Sequence, residues 1–518
     1  MENSQSSFAR SQDLFTLAKG TVISFSGEIV HIIITYAYGI IIARFMGLSD
    51  FGVFFLGITI FNLITLFSLC GIEDGLMRFI GFHVQNKEVG KAKGLIRFSL
   101  YSAIVSGTAF GALCFFFADL IALNIFRKPE LATVLRFLSI GIPISAVMTV
   151  TVASIRGFKN VVPYVFIRKV FMPLISIILS LIVIFMGGHL IGLSVTYVGA
   201  MACAALLGFF MLRSFLSSFE EGPVKRSSYE QYLPFITTAF LVNTFLFIFA
   251  WCDLIILGIL RSTGEVGVYF AAKKTALSLN LLLISLNSIF TPLISHLYSG
   301  NARDHLHDAF KTSTQWILIF GLPIFLVILF TSKELLSLFG AAFVEGQTCL
   351  IILALGQLFN LSAGSVGYLL MMTGYQRLML VNVIVLVIIA IPLSVVLVSR
   401  YGILGAAYAN ASSIIIANIL ALAEVNILLR LNPFNMRYVR ILLAGVITAV
   451  SLYGLNMILP GNQPLFTVMV ETASILILFF ALVLLFGITE SEKRILISIR
   501  QKINCSLWRG IPGTRDNG

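Results

Sequence analysis

The sequence contains few charged residues for its length of 518 residues. Asp, Glu, Lys and Arg together make up 11% of the chain, whereas 58% of the residues are hydrophobic, and the mean hydropathy is +0.99. Soluble domains carry about 25% charged residues, so this composition lies outside their range. The scarcity of charge excludes a soluble protein and predicts a polytopic membrane protein.

The apolar segments also lack the alternation of polar and apolar residues that a barrel strand requires. They continue for about 20 residues, a length over which a helix satisfies its own backbone hydrogen bonds in lipid. A β-barrel is therefore disfavoured, and the predicted fold is all-α.

Cysteines are few as well, and their spacing matches neither a metal site nor a disulfide framework. Five of the six lie in or beside apolar segments, and Cys505 lies in the C-terminal tail. We therefore predict free thiols and no cofactor. The first twenty residues lack the short apolar core of a cleaved signal peptide, so the first span is expected to direct insertion.

The apolar segments predict about fourteen transmembrane helices, in groups of six, six and two. The predicted spans are 21–43, 52–72, 95–118, 131–154, 163–187, 190–212, 233–259, 267–295, 313–331, 347–371, 379–398, 403–428, 440–459 and 465–487. The predicted domains are an N-terminal segment at 1–20, a first six-helix bundle at 21–212, a linker at 213–232, a second bundle at 233–428, two further helices at 440–487 and a basic tail at 488–518.

The distribution of basic residues predicts the orientation. The net charge is +12, and most Lys and Arg residues fall in connections on the same side as the two termini. Because positively charged loops stay on the cytoplasmic side, we expect a protein of the cytoplasmic membrane with both termini inside. The basic charge is thus explained by topology, and no nucleic-acid partner is expected.

An internal repeat relates the two groups of six spans. Three short matches recur in order at an offset of about 215 residues. The matching segments are 50–54 with 265–269, 156–158 with 373–375, and 191–194 with 404–407. Because six spans separate equivalent points, the two bundles should be parallel and related by an axis along the membrane normal. Recurring glycines such as Gly52 and Gly267 are expected at tight turns or close helix contacts.

Two related bundles favour a transporter over an enzyme. A cavity between them can open alternately to either side when one bundle rocks against the other. The predicted outer loops leave little room for a catalytic domain, and the sequence shows no nucleophile elbow or phosphate-binding loop.

Several short segments carry a family resemblance. They are residues 41–54, residues 253–258 followed by 265–269, residues 373–377 and residues 401–410. In order and spacing the chain resembles the polysaccharide-transporter branch of the multidrug/oligosaccharidyl-lipid/polysaccharide (MOP) flippase superfamily. The resemblance implies translocation of a polyprenyl-pyrophosphate-linked oligosaccharide from the inner to the outer leaflet, with membrane lipids and polysaccharide-assembly proteins as partners.

Lys273 and Lys274, about eight residues into a predicted span, are the first candidates for substrate binding. A cation in the cavity would stabilise an anionic pyrophosphate in a low-dielectric region. Adjacent helical residues point about 100° apart, so one of the two should face the cavity directly. The alternative is that they neutralise Asp253 or Glu28, or extend towards the outer surface.

The candidate cavity acids are Asp253 and Glu28, the latter with His31 on the same helical face. Glu28 and His31 are placed to bind a coupling proton or sodium ion, whereas interhelical hydrogen bonding is the alternative for all three. Arg156, Arg168 and the adjacent Lys169 flank the cytoplasmic ends of spans four and five. They are candidates for first contact with a lipid pyrophosphate or, alternatively, residues that hold orientation beside anionic lipid.

Two other functions remain open at this point. A cation-coupled multidrug exporter of the same superfamily would use Glu28 and Asp253 as coupling acids, and its cavity would not be positive, because a positive cavity repels cationic drugs. A membrane-embedded glycan polymerase or ligase would need a sizeable outer catalytic loop, which the sequence lacks.

Overall fold

The structure is a computed structural model that describes residues 2–217, 231–300, 302–458 and 464–486. All regular elements in these residues are helical, which confirms the all-α polytopic prediction. The predicted tail at 488–518 lies outside the described residues, as do residues 218–230 of the predicted linker. The predicted N-terminal segment at 1–20 belongs, from Glu2 onward, to the first helix.

The α-helices follow the predicted order of spans. Those of the N-terminal half are α1 (Glu2–Leu69), α2 (Ile72–Gln85), α3 (Val89–Phe116), α4 (Pro129–Gly157), α5 (Val162–Val165), α6 (Met172–Phe185) and α7 (Leu190–Ser217). Those of the C-terminal half are α8 (Tyr232–Leu260), α9 (Thr263–Ala276), α10 (Asn280–Ser299), α11 (Arg303–Phe330), α12 (Ser332–Ser337), α13 (Gln347–Ala363), α14 (Val366–Met372), α15 (Gln376–Glu424), α16 (Met436–Ile458) and α17 (Pro464–Leu485).

Within the described residues, 11 helical segments are long and apolar enough to cross a membrane. Two of them, 22–69 and 376–429, contain 48 and 54 residues, about twice the length that one crossing needs. Each is interrupted by a glycine with positive φ, Gly47 at 79° and Gly402 at 59°. These breaks fall at the predicted junctions between consecutive spans, where glycine adopts the left-handed conformation without strain.

The predicted span at 267–295 is divided differently. A turn of 3₁₀ helix at Leu277–Leu279 separates α9 from α10. This break could not be predicted from residue types, because neither glycine nor proline occurs in Leu277–Leu279. The arrangement is compatible with fourteen spans, and that exact number stays a prediction, as do the domain boundaries.

The two halves meet where α1 crosses α9, through a reciprocal contact of glycines. A Cβ atom on Gly52 would lie 1.9 Å from the carbonyl oxygen of Thr263, and one on Gly267 would lie 2.6 Å from that of Leu48. Under the sequence repeat, Gly52 corresponds to Gly267 and Leu48 to Thr263. Such a contact is the geometry of a two-fold axis between related copies. It leaves no room for a side chain at either glycine.

Aromatic packing and polar contacts join the halves near this crossing. The rings of Phe55 and Phe270 stack with centroids 4.2 Å apart. Arg44 donates to the carbonyl oxygens of Ser337 and Leu338 at 2.8 and 2.7 Å. Because a charged donor strengthens a hydrogen bond, these contacts hold the halves together at the predicted outer side.

A second contact between the halves lies at the predicted cytoplasmic side, where α2 meets α8. Asn243 Nδ2 donates to Asp74 Oδ2 at 2.7 Å, and a Cβ atom on Gly71 would lie 2.1 Å from the carbonyl oxygen of Ile236. The described halves therefore touch near both predicted ends of the bundle.

Candidate functional site: two groups of ionisable residues

Five of the seven candidate residues, together with Lys169, form two groups at the level of α9. We call Asp253 with Lys273 the buried pair. We call Glu28, His31, Lys169 and Lys274 the interlobe cluster, because α1, α6 with its preceding turn, and α9 contribute to it. Lys273 and Lys274 are adjacent in sequence, yet they belong to different groups, as the rotation of about 100° per helical residue allows.

The two charges of the buried pair neutralise each other. Lys273 Nζ lies 2.7 Å from Asp253 Oδ1 and 2.6 Å from Oδ2, and it donates to the carbonyl oxygen of Ala250 at 2.6 Å. The two side chains are 5% and 2% exposed. A buried charge requires a partner and further hydrogen bonds to offset the loss of hydration, and both ions have them here.

Three neighbouring side chains complete the buried pair. The Tyr269 hydroxyl donates to Asp253, and Asn410 Nδ2 donates to Asp253 Oδ2 at 2.9 Å. The ring centroid of Trp251 lies 4.9 Å from Lys273 Nζ, within range of a cation–π interaction. Tyr269 and Lys273 are four residues apart on α9 and so present one face to α8. This geometry corresponds to the structural alternative for Asp253 and Lys273.

The interlobe cluster, by contrast, contains more cations than carboxylates. Lys169 Nζ lies 2.8 Å from Glu28 Oε2, and His31 Nδ1 lies 3.3 Å from the backbone oxygen of Lys169. Lys274 interacts electrostatically with Glu28 and Lys169 and forms no hydrogen bond or salt bridge with any described residue. One carboxylate thus faces two lysines, and Lys274 is available to an anionic ligand.

A π-helical turn at Phe166–Phe171 explains how Lys169 reaches this cluster. Such turns insert a residue into a helix and redirect the side chains around them. Arg168 and Lys169 both line a cavity of about 220 Å³ in the N-terminal half, together with His31. Sequence reasoning placed Lys169 only at a cytoplasmic helix end, because no sequence pattern distinguishes a π turn from an ordinary helical turn.

Arg156 and Arg168 lie in the N-terminal half, on the side predicted to be cytoplasmic. Arg168 Nη1 donates to Glu73 Oε1 at 2.8 Å, and the guanidinium group of Arg156 lies 4.6 Å from the ring centroid of Tyr164. These contacts place both arginines among residues of their own half. Their proposed contact with a lipid pyrophosphate stays a prediction.

A larger cavity, about 400 Å³, lies in the C-terminal half beside the buried pair. It is lined by many carboxamide side chains, including Gln357 and Asn410. Sequence reasoning did not identify this cavity, because its residues are distributed over more than 170 positions of the chain, from Leu246 to Ala421. No group of three or more His, Cys, Asp or Glu residues in the described part of the chain is arranged to hold a metal ion.

The two halves and their long apolar helices define a polytopic helical membrane protein. Residues 41–345, more than half of the sequence, match the family described as polysaccharide biosynthesis protein, and the chain belongs to that family. The resemblance inferred from the sequence motifs is thereby confirmed.

One curated relative is the probable low-salt glycan biosynthesis flippase Agl15 of Haloferax volcanii. It is 26% identical over 175 residues, which make up 34% of this chain and 37% of that protein. The match therefore spans little more than a third of this relative's length.

Two solved structures show the fold over most of the chain. The lipid II flippase MurJ in an inward closed conformation has a TM-score of 0.71 at 17% identity, covering 90% of this chain and 98% of that one. An inward-facing multidrug resistance MATE family transporter has a TM-score of 0.66 at 14% identity, covering 79% and 98%.

Proposed function

We propose that this protein is a flippase that moves a polyprenyl-pyrophosphate-linked oligosaccharide from the inner to the outer leaflet of the cytoplasmic membrane, by alternating access between its two halves. Both termini then lie in the cytoplasm, and the transport step involves no catalytic chemistry. The family, and the names of Agl15 and MurJ, support a flippase of glycan biosynthesis.

The observation that carries the proposal is the positive interlobe cluster. A pyrophosphate group is anionic, and moving it across a low-dielectric region is unfavourable unless cations accompany it. Lys274, without a salt bridge to any described residue, and Lys169, shared with Glu28, supply such cations where the halves meet. Rocking of the halves would expose the cluster to each side in turn.

A multidrug exporter would require a cavity whose net charge is not positive. A cationic drug would be repelled by Lys169 and Lys274, and Asp253, one of the two acids assigned to coupling, is neutralised by Lys273. For the flippase, we propose that Glu28 and His31 bind the coupling ion, which is a proton or a sodium ion. Both residues lie beside the lysines, so a ligand bound to the lysines would change their electrostatic environment. A polymerase or ligase has no support from the family or from these contacts.

The test is the leaflet distribution of lipid-linked glycan in cells depleted of this protein, measured with a probe that cannot cross the membrane. We expect glycan to accumulate on the cytoplasmic side and to reach the outer leaflet again when the protein is re-expressed. An empty vector and a Gly52→Leu variant, which the close contact with Thr263 cannot accommodate, serve as controls. Unchanged glycan distribution combined with altered dye resistance would reject the proposal in favour of drug export.

A further inference from the structure

Carboxamides make up most of the polar side chains in the wall of the cavity of about 400 Å³ in the C-terminal half. Residues of α8, α9, α10, α13, α14 and α15 form its wall. Asn418 Nδ2 donates to Asn360 Oδ1 at 3.1 Å, and Asn360 Nδ2 donates to Asn280 Oδ1 at 3.2 Å. This chain of hydrogen bonds fixes three carboxamides in the wall before any ligand binds.

Other polar atoms in the same wall have no partner. The side-chain oxygens of Asn287, Gln357 and Ser365 are buried and form no hydrogen bond with any described residue. These residues are only 2%, 5% and 1% exposed. Buried acceptors without a donor destabilise the fold. Because these three residues lie in the wall of one cavity, a turn of the side chain would let each of them accept a hydrogen bond from a ligand there.

The remaining lining defines the chemistry of that ligand. Lys273 is the charged residue of the lining, and Asp253 neutralises it. Phe249, Trp251 and Tyr368 contribute aromatic surface. Hydroxyl groups would satisfy the carboxamide oxygens, and an apolar face of carbon-bound hydrogens would pack on the aromatic rings. An uncharged sugar ring combines these two features.

A bare metal cation fits this cavity less well. The carboxylate nearest to the wall, that of Asp253, already accepts hydrogen bonds from Lys273, Tyr269 and Asn410. The volume is also more than ten times the roughly 30 Å³ that one water molecule occupies, and it lies in the range of about 300–1,000 Å³ typical of small-molecule sites.

We propose that this cavity is a subsite for an uncharged sugar residue of the lipid-linked glycan. This inference rests on the proposed function and adds to it: the pyrophosphate is held by the interlobe cluster and a sugar by the carboxamide cavity. The two sites flank α9, since Lys274 belongs to the cluster and Lys273 to the cavity wall. The cavity then contributes to selection among glycans.

The first experiment separates binding from stability. In Asn287→Leu and Gln357→Met, apolar side chains of similar size replace the unpartnered carboxamides, so we expect a higher melting temperature of the purified full-length protein. We expect the initial rate of glycan transfer to the outer leaflet to fall at least ten-fold. Lower stability with a proportionate loss of protein would assign these residues a structural role and overturn the proposal.

Thr314→Val is the matched control. The Thr314 hydroxyl is equally buried and also lacks a partner among the described residues, but it lies on α11 and is not part of the cavity lining. We expect the same rise in melting temperature without a change in glycan transfer. If all three variants transfer glycan at the rate of the wild type, the sugar subsite is rejected while the flippase proposal stands.

The second experiment measures binding directly through Trp251. Trp316→Phe and Trp508→Phe leave this residue as the single tryptophan of the full-length protein. We expect glucose or N-acetylglucosamine, at millimolar concentration, to shift its fluorescence, and the shift to be lost in Gln357→Met.

A fluorescence shift with sodium chloride, but not with choline chloride or either sugar, would identify a cation site and reject the proposal. The absence of any shift would also reject it. Sugar binding in a protein that does not flip glycan would reject the proposed function alone.

Discussion

The buried pair and the interlobe cluster use similar residues and differ in how their charges are satisfied. In the buried pair, one lysine faces one aspartate, and Tyr269 and Asn410 also donate to the carboxylate. In the interlobe cluster, two lysines face one glutamate, and the side chains of Glu28 and Lys169 are 22% and 21% exposed. The first arrangement is complete without a ligand, whereas the second has cationic charge available for one.

This difference predicts separate roles for two adjacent lysines of α9. A closed, buried ion pair contributes specificity and rigidity within one half, and removing one partner leaves an uncompensated charge. An open cluster between halves can bind an anion and release it when the halves move. We therefore expect substitutions in the buried pair to affect stability first and substitutions in the cluster to affect transport first.

The largest effect should come from Lys273→Met. The change removes the cation partner of Asp253, whose side chain is 2% exposed, so we expect a loss of about 3–5 kcal/mol in the free energy of unfolding. Thermal unfolding of the purified protein measures it. The double variant Asp253→Asn with Lys273→Met removes both charges and should recover most of the stability. A stable Lys273→Met protein that fails to transport would reverse the assignment of the two lysines.

The next effect is that of Lys274→Gln on transport. Because Lys274 forms no salt bridge with a described residue, we expect stability to change by no more than about 0.5 kcal/mol. Loss of the cation should lower the rate of glycan transfer about ten-fold, which corresponds to about 1.4 kcal/mol. The leaflet assay measures it, with Lys274→Arg as the control that keeps the charge. Wild-type transfer by Lys274→Gln at normal protein levels would remove Lys274 from the substrate site.

The sequence predicted the class of fold and the separation of the two lysines, because both depend on short-range rules. Long apolar segments require helices in lipid, and the rotation of about 100° per residue separates Lys273 from Lys274. The same rules could not decide which lysine would meet Asp253, since that depends on how α8 packs against α9. Both Asp253 alternatives therefore stayed open until the structure showed the pair.

Two other features of the site could not be predicted from the sequence, because they also depend on how distant segments pack. Lys169 joins Glu28 through a π turn, whose hydrogen bonds no residue pattern specifies. The carboxamide cavity combines Asn287 with Gln357 and Asn418, which become neighbours only in the folded chain. Conversely, the repeated glycines Gly52 and Gly267 were predicted at tight turns or close helix contacts, and the structure brings them together in a close helix contact. The internal repeat thus identified two glycines that lie far apart in the sequence and contact each other in the fold.

A smaller effect is expected for Glu28→Gln. The change removes the carboxylate that Lys169 contacts at 2.8 Å and makes the cluster more positive, so an anionic substrate should bind more tightly and leave more slowly. We expect the substrate concentration for half-maximal transfer and the maximal rate each to fall by a few-fold, of the order of 1 kcal/mol. Transfer in proteoliposomes at varied substrate concentration measures both, and Glu28→Asp is the control.

The same experiment tests coupling. If Glu28 binds the driving ion, transfer by Glu28→Gln should lose its dependence on a proton or sodium gradient, while Glu28→Asp keeps it. A gradient dependence that is unchanged in Glu28→Gln would show that coupling occurs elsewhere and that Glu28 serves only to balance Lys169.

The smallest effect should be that of Arg156→Gln. This variant tests whether the substrate-binding cations extend beyond the interlobe cluster towards the predicted cytoplasmic side. The Arg156 guanidinium lies over the ring of Tyr164 at 4.6 Å, and a partly exposed cation–π contact contributes about 0.5–1 kcal/mol. We expect a stability loss of that size and less than a two-fold change in glycan transfer. Tyr164→Leu should reproduce the stability loss. Arg156→Gln could instead lower transfer as much as Lys274→Gln does, while Tyr164→Leu does not. That result would show that the pyrophosphate first contacts Arg156 and binds the interlobe cluster afterwards.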